Sequence, residues 1–541
     1  MPEYLSPGVY VEEIEIGSKP IEGVSTSTAG FLGQTELGPT APRLITSPGQ
    51  FNRIYGGIIP NSFLAHAVDG FFRNGGQRCF VARIVHNSEQ DTALNASSVS
   101  TDSSTISIEA IGAGSWGRRI AFKISRAGLA LPEQNGFPDP NASLFKLTVM
   151  YWNILPPQPV VDPTDRANRT NDDRRDPTFL EVYDNLSADE ESPDYYKKRV
   201  NGISNLVVLD VAEGQEEGRP VDVSLTMLTE PADETQYDGG NPITQADYAG
   251  VERDVQEDGE TGTERTGLKG FAYIDEINIV CAPDEVNIEG LTDLIVDHCE
   301  DPDLQDRFAI LQSGRDAVPS TIGTELRPPR DSQYAAFYYP WIKILNPRTN
   351  REILIPPGGH IAGIYARSDT ERGVFKAPAN EIVRGARGLH FLTSKGEHDI
   401  LNPLGVNVIR SFPGRGIRVW GARTTSSNSL WKYINVRRLF LFLRESIDEG
   451  TQWVVFEPNN EQLWARVRQT ITAFLTTVWR TGALMGTTPE EAFFVRVDRS
   501  TMTQDDIDNG RLICLIGVAP TKPAEFVIFR IAQFTAGSEG T

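Results

Sequence analysis

The chain opens with an alternation of apolar and polar positions that is typical of an extended strand. It has two apolar faces, Val9 and Val11 on one side and Tyr10, Ile14 and Ile16 on the other. Since successive side chains of a strand point to opposite faces, both faces of this segment need cover. A strand left unpaired at a chain end is costly, because its main-chain groups stay open to other chains.

A second strand with two apolar faces is predicted near the end of the chain. Its faces consist of Val527, Phe529 and Ile531 on one side and Phe526 and Ile528 on the other. Such a pattern is typical of a strand that is covered on both sides. Exposed in a single subunit it would promote aggregation, so pairing with a neighbouring chain is the favoured interpretation.

Between these ends, strand and helix patterns alternate in two separate stretches. In the first, apolar positions recur at helical spacing over 63–72, Gly75 ends the helix, and the strand CFVARIV follows. In the second, the strand YIDEINIVCAP, the helix VNIEGLTDLIVDHCE and the strand RFAILQ occur in order. This alternation predicts an α/β domain that a long insertion interrupts.

The insertion, 88–268, differs from its surroundings in composition and charge. Turn-rich polar segments at 155–185 and 230–266 separate its few strand patterns. The chain has a formal net charge of -22, and residues 155–268 contain 27 Asp and Glu against 10 Lys and Arg. We interpret 88–268 as an acidic, mainly β and loop domain that faces solvent.

The longest helical patterns lie in the last third of the chain. Apolar residues recur at spacings of three and four over 429–449, and the pattern stops at Gly450. A second amphipathic helix follows Asn459 and Asn460, which can cap its amino terminus, and stops before Gly482. The strands FFVRV and RLICLIGVAP follow these helices.

Composition and motifs argue against several classes of function. With 51 Lys and Arg against 73 Asp and Glu, the chain lacks the cationic excess of a nucleic-acid-binding protein. No apolar run reaches the ~18 residues of a membrane span, and the first residues do not resemble a signal peptide. We therefore expect no nucleic acid partner, no membrane span and assembly in the cytoplasm.

The candidate motifs for chemistry are weak. The literal GxGxxG at 112–117 precedes the strand pattern RRIAFKI instead of a helix, which favours a turn over a dinucleotide site. Cys281, His298 and Cys299 lack the spacing of a zinc site, so helix packing is the favoured interpretation. We predict no catalytic, cofactor-binding or metal-binding residues.

Eight segments occur along the chain in an order that points to one family. They are SPGVYVEE at 6–13, GFFRNGGQRCFVARI at 70–84, GSWGRRIAFKI at 114–124, YYPWIKILNP at 338–347, PPGGHIAGIYARSDTERGVFKAPAN at 356–380, GIRVWGARTTSS at 416–427, YINVRR at 433–438 and GVAPTKPAEFVIFRI at 517–531. Together they resemble the phage tail sheath family, which includes the sheaths of contractile phage tails, tail-like bacteriocins and contractile injection systems. Residues 125–268 carry no such resemblance.

The resemblance implies a multidomain fold of the α+β and α/β classes. An inner α/β domain is formed by both termini, and an outer α/β domain carries an inserted β-rich outer domain. On this basis the chain divides into an N-terminal extended arm (1–22), the first part of the outer α/β domain (23–87), the insertion (88–268), the second part of the outer domain (269–400), the inner, tube-proximal domain (401–519) and a C-terminal extended arm (520–541).

The function implied by the resemblance is structural, not enzymatic. Such a subunit polymerises as a six-fold helical sheath around an inner tube protein and contracts to drive the tube through a target envelope. Baseplate and terminator proteins are further expected partners, within a phage tail or tail-like particle. In such sheaths, terminal arms complete a small sheet on neighbouring subunits, so the apolar residues of both terminal strands are the expected inter-subunit contacts. Phage, bacteriocin and injection system stay open as the type of particle.

A basic group on the first long helix is the candidate contact with the tube. Lys432, Arg437 and Arg438 can face an acidic tube, where charge complementarity would set the register of the contact. The alternative is that they form the solvated face of the helix. For the chain as a whole, the alternative is a surface enzyme or calcium-dependent adhesin that acts through 88–268.

Overall fold

The computed structural model describes residues 20–86, 97–129, 143–212, 214–215, 218–228, 242–257, 260–319 and 326–528. They divide into two units. The terminal unit consists of the described residues of Met1–Val24, Gly373–Lys376 and Asn435–Thr541, and the central unit of those of Ser25–Arg372 and Ala377–Ile434. The terminal unit thus contains chain from both ends of the sequence.

The strands are, in chain order, β1 (Ala29–Gly33), β2 (Arg43–Ile45), β3 (Cys79–Arg83), β4 (Ser100–Ser103), β5 (Ile106–Ala110), β6 (Ile120–Arg126), β7 (Phe145–Tyr151), β8 (Phe179–Leu186), β9 (Val207–Val211), β10 (Val223–Met227), β11 (Glu252–Glu257), β12 (Glu260–Arg265), β13 (Ile279–Cys281), β14 (Phe308–Gln312), β15 (Ala335–Tyr339), β16 (Ile342–Asn346), β17 (Arg351–Ile355), β18 (Gly388–Leu389), β19 (Val406–Phe412), β20 (Gly416–Val419), β21 (Phe493–Arg496) and β22 (Leu515–Val518).

The helices are, in chain order, α1 (Pro48–Tyr55), α2 (Leu64–Arg73), α3 (Tyr196–Val200), α4 (Gln245–Ala249), α5 (Gly267–Ala272), α6 (Leu291–Glu300), α7 (Gly358–Arg372), α8 (Lys395–Leu401), α9 (Ile434–Thr451), α10 (Glu461–Arg480), α11 (Pro489–Ala492) and α12 (Gln504–Asp508). None of these described helices is long and apolar enough to cross a membrane.

The largest sheet lies in the central unit and has the strand order β2-β3-β1-β13-β14-β15-β19-β20. The strands from β3 to β19 run parallel, and β2 and β20 are antiparallel at the two edges. Because β1 pairs with β13, the two α/β stretches of the sequence share one sheet. The predicted boundary at residue 401 cuts through this sheet, since β19 and β20 complete it.

Helices cover both faces of the large sheet. Phe31 of β1 packs edge to face on Phe71 of α2, with 5.5 Å between the ring centroids. The neighbouring Gly30 faces Phe271 of α5, whose ring occupies the space that a Cβ would need. Since adjacent strand residues point to opposite faces, α2 and α5 lie on opposite sides of the sheet. The mixed α/β class predicted from the sequence is confirmed.

Residues 97–228 form two smaller sheets, with the orders β4-β5-β9 and β10-β6-β7-β8. Trp116, Phe122 and Tyr151 belong to the core that these sheets share, and Leu37 of the α/β part packs into the same core. A 3-10 turn at Ser115–Arg119 connects β5 to β6. The GxGxxG segment therefore joins two strands, as predicted.

In the terminal unit, α9, α10, β21 and β22 share one core. The Asn460 side chain caps α10, because its Oδ1 accepts hydrogen bonds from the main-chain N–H groups of Gln462 and Leu463, each at 3.0 Å. This confirms the predicted cap. The helix α9 begins later than the predicted residue 429, since Tyr433 still forms a β-bridge with Arg423.

Candidate functional site

The C-terminal segment is fastened to the terminal unit as far as Thr521. Its hydroxyl donates to the carbonyl oxygen of Gly482 at 3.0 Å, and its N–H donates to that of Ala483 at 3.0 Å. The Asn435 side chain donates to the carbonyl oxygen of Thr521 at 3.1 Å. These bonds fix the point from which the chain leaves the unit.

Beyond Thr521 the described chain has no regular structure and its apolar side chains are in solvent. Phe526, Val527 and Ile528 are 72%, 66% and 79% exposed. The sequence predicts a strand here, and a single subunit provides no partner for it among the described residues. Phe529 and Ile531 lie outside those residues.

Ile21, near the start of the described chain, packs beside α9 in the terminal unit. The Ile21 side chain is 8% exposed and fills the space that a side chain at Gly450 would need. The N–H of Val24 donates to the Ser446 hydroxyl at 3.1 Å. The predicted inter-subunit residues from Val9 to Ile16 precede the described residues, so their role stays a prediction. The described chain is thus held at both ends by the terminal unit.

The strands β21 and β22 form an antiparallel sheet of two strands in the terminal unit. Phe493 packs into the core on one face, whereas Phe494 and Leu515 are 48% and 49% exposed on the strands. Within the described part of the chain, the sheet contains no third strand. Two short strands are marginal as a sheet, and their open edges can accept another strand.

The three predicted tube-contact residues differ in their exposure to solvent. Arg437 and Arg438 are 8% and 3% exposed, whereas Lys432 is half-buried, with its Nζ 5.1 Å from the centroid of the Tyr433 ring. The alternative that Arg437 and Arg438 form a solvated helix face is therefore wrong. The tube contact stays a prediction, and Lys432 alone of the three has the exposure that it requires.

A buried arginine accounts for the geometry around His298. Arg307 is fully buried, and its Nη1 lies 3.2 Å from Nε2 of His298. Arginine can only donate, so this histidine nitrogen is the acceptor and carries no proton. Burial, together with the Arg307 cation, lowers the pKa of His298 to about 3. The lone pair that a metal ion would need is already used, which agrees with a packing role.

In open α/β sheets, ligands bind beyond the carboxyl ends of the strands where the connections diverge. Here that point lies between β1 and β13, and Asp284 occupies it. Its Oδ2 accepts from the Ser62 hydroxyl at 2.7 Å, and its Oδ1 accepts from the N–H of Phe63, just before α2, at 2.9 Å. An anionic ligand would use the same donors. The position of a ligand is thus filled by the chain's own carboxylate.

The next residue, Glu285, has a buried carboxyl group, and one of its two oxygens accepts a hydrogen bond. Its Oε1 accepts from the N–H of Gln312 at 2.7 Å, and its Oε2 has no hydrogen-bond partner among the described residues. Burial raises the pKa of Glu285 to about 8. The group therefore favours the protonated form in the folded chain, whereas it ionises near its ordinary value in the unfolded chain.

We expect Glu285→Gln to flatten the dependence of stability on pH. The folded-state pKa of Glu285 is raised, so its contribution is fully present below about pH 4 and is lost as the pH rises towards 8. At pH 8 the variant should gain about 1–3 kcal/mol in the free energy of unfolding, with little change near pH 4. Urea unfolding followed by tryptophan fluorescence measures this. The exposed Glu352→Gln is the control, and parallel pH profiles of E285Q and wild type would contradict the expectation.

Two protein-family models match consecutive parts of this chain. The phage tail sheath protein central domain matches residues 258–425, and the phage tail sheath C-terminal domain matches residues 426–534. Together they cover more than half of the sequence. The chain belongs to the phage tail sheath family. The family predicted from the eight segments is therefore confirmed.

Individual sheath proteins match over shorter stretches. A tail sheath protein of Vibrio phage KVP40 is 28% identical over 182 residues, which are 33% of this chain and 26% of that protein. A putative prophage major tail sheath protein of Pseudomonas aeruginosa is 25% identical over 198 residues, 36% of this chain and 49% of that protein. This sheath chain thus spans between a quarter and a half of these curated relatives.

Solved structures match the sheath chain over nearly its whole length. The anti-feeding prophage helical sheath in the contracted state has a TM-score of 0.55 at 22% identity, covering 97% of this chain and 99% of that one. The sheath tail protein Lin1278 of Listeria innocua has a TM-score of 0.56 at 12% identity, covering 93% and 96%. At these identities the likeness concerns the fold.

Proposed function

We propose that the chain is a structural subunit of a contractile tail sheath, which polymerises as a helical tube around an inner tube. Its contraction would drive that tube through a target envelope. The observation that carries the proposal is the family match together with an exposed apolar segment, Phe526 to Ile528, at the end of a folded unit. Nothing in the comparisons supports the alternative, an enzyme or adhesin acting through 88–268.

The domain roles in this proposal follow the two units. The terminal unit is assigned to the inner, tube-proximal layer and the central unit to the outer layer, with 97–228 outermost. The anti-feeding prophage baseplate, solved with six-fold symmetry, contains a chain of this fold, with a TM-score of 0.54 at 22% identity. By analogy with that assembly, six-fold symmetry and contacts with a baseplate are part of the proposal for this chain, alongside tube and terminator proteins.

Strand donation is the proposed link between subunits. The C-terminal arm leaves the terminal unit after Thr521 with three exposed apolar residues, and the sheet β21-β22 in the same unit has open edges. An added strand gains main-chain hydrogen bonds along its whole length. If the arm of one subunit joins β21-β22 of the next, the contact is head-to-tail and generates a helical polymer wherever its rotation does not close into a ring.

Electron microscopy of the purified chain, alone and mixed with a cognate tube, tests the proposed function. We expect hollow tubes of regular helical symmetry, in an extended or a contracted state. Monomers under both conditions, or aggregates without helical order, would contradict a sheath.

A further inference from the structure

Opposite charges are concentrated in different parts of this chain. Residues 343–444 contain 17 Lys and Arg against 6 Asp and Glu, although the chain as a whole carries a net charge of -22. The acidic excess lies in 155–268 instead. Four of these cations, Arg367, Arg423, Arg437 and Arg438, are buried. Copies of a strongly acidic protein repel one another, so the exposed cations bear directly on self-association.

Part of this positive charge forms one surface at the edge of the large sheet, beside β20. Ile382 forms a β-bridge with Arg418, which places 380–383 alongside that strand. Arg410 and Arg418 lie opposite each other on β19 and β20, and Arg415 lies in the turn between these strands. We call Arg410, Arg415 and Arg418 the arginine face. Arg415 is exposed, and the other two are partly exposed.

Three carboxylates lie in the neighbouring segments, 380–383 and α8. Glu381 lies 3.4 Å from Nη2 of the buried Arg367, and Glu397 accepts from the N–H of Ser394. Asp399 pairs with Lys395 at 2.8 Å and also interacts electrostatically with Arg410. The guanidinium groups of Arg415 and Arg418 bond to the neutral Asn380 instead, at 3.2 Å and 2.7 Å. Among the described residues, no direct ion pair includes Arg410, Arg415 or Arg418.

Aromatic rings hold two of these guanidinium groups in place. Arg410 and Arg415 lie 5.4 Å and 5.6 Å from the centroid of the Phe412 ring, and Arg415 lies 5.9 Å from that of Trp420. Stacking on a ring orients a guanidinium group without neutralising it and leaves its donors open to a carboxylate. The surface is therefore arranged in advance for an acidic partner, which lowers the entropy cost of binding.

The chain itself carries exposed carboxylates before and after β8 that can supply an acidic partner. Asp172, Asp173, Asp189, Glu190 and Glu191 are exposed, and no ion pair described in the structure includes them. We propose that the arginine face binds the acidic segment 172–191 of a second copy of this chain. The inference rests on the proposed function for its partner, since a sheath brings many copies together. It adds a second, electrostatic contact to the donated strands.

The contact joins two different surfaces, so it can repeat from copy to copy around a ring or along a helix. Charge pairs at such a contact fix register and favour the correct partner, and they weaken with salt because the Debye length is about 8 Å at physiological ionic strength. In this scheme the terminal arms attach one subunit to the next, and the charge contact sets the orientation of their central units.

A charge-exchange experiment on the full chain tests this contact. The face variant is Arg410→Glu with Arg415→Glu, the acidic variant is Asp189→Lys with Glu190→Lys, and a third variant carries all four changes. Sedimentation velocity at about 50 mM and about 500 mM NaCl measures self-association. We expect each pair alone to weaken association at low salt by roughly tenfold or more, and the combination to restore most of it. The control, Arg53→Glu with Arg315→Glu, changes the net charge equally at exposed arginines outside the face.

The outcomes separate this inference from the proposed function. Helical tubes from the face variant, with unchanged association and salt dependence, would overturn the contact and leave the sheath standing. A combined variant no better than the single pairs would also overturn it, because the two surfaces would not meet. If the wild-type chain stays monomeric at low salt, the proposed contact is contradicted. Electron microscopy with the tube then tests the proposed sheath function separately. A loss seen only with tube added would assign the face to the tube.

Discussion

Replacing Phe526, Val527 and Ile528 with aspartate is expected to abolish polymerisation and leave the subunit folded. These side chains are 66–79% exposed in the single chain, so the substitution removes no core contact. In the polymer, by contrast, three carboxylates would have to enter a sheet beside β21-β22, where an unpaired buried charge costs several kcal/mol. Size-exclusion chromatography and electron microscopy measure assembly, and circular dichroism measures folding.

The matched control places aspartate at three other exposed apolar positions, Ile154, Ile203 and Val221, which are 83%, 60% and 59% exposed. This control variant should assemble as wild type does. Normal tubes from the C-terminal variant would remove the arm from the contact. Loss of assembly in both variants would instead mean that the added negative charge, and not the loss of a donated strand, prevents polymerisation.

Arg307→Met is expected to lower the free energy of unfolding by about 3–5 kcal/mol, the cost of removing one partner of a buried ion pair. Arg307 forms bonds of 2.6 Å and 2.8 Å to Asp306 and one of 2.7 Å to the carbonyl oxygen of Phe271, in the last turn of α5. Without the guanidinium group, the buried Asp306 carboxylate and that carbonyl lose their donors. Denaturant unfolding followed by tryptophan fluorescence gives the difference.

Arg330→Met provides the comparison for Arg307. Arg330 pairs with Asp297 at 2.6 Å and with Glu300 at 3.0 Å, and its side chain is 30% exposed. Partly solvated pairs contribute about 0–1 kcal/mol, so the same chemical change should have a small effect there. Equal losses in the two variants would show that burial of Arg307 does not set its contribution.

Periodicity in the sequence predicts the helices and strands that have one solvent-exposed face. The amphipathic helix α10 and its Asn460 cap follow directly from apolar spacing and a capping residue. The order β13, α6 and β14 could also be predicted from the sequence, because turn residues bound each of these elements. The exposed apolar arm could also be predicted, since two apolar faces at a chain end require an external partner.

Elements buried on all sides, and contacts between distant segments, could not be predicted in this way. The helix α7 is buried from Gly358 to Ser368, so it has no polar face to reveal its period. Arg437 and Arg438 look like a solvated face by charge, but tertiary packing encloses them. Buried Asp247 in α4 lies 3.3 Å from His86, so the chain returns to the α/β part before the predicted residue 268.

The Asp284 carboxylate between β1 and β13 has a mechanical consequence. A crevice that admits a ligand weakens a sheet along that line, because the two walls of the crevice share few contacts and must move apart to let the ligand in. Here the hydrogen bonds from Ser62 and Phe63 tie the end of β13 to the start of α2 across that line. These bonds add to the parallel pairing of β1 with β13, which joins the two halves of the sheet. A pull that separates the halves must therefore break side-chain hydrogen bonds as well as the strand pairing.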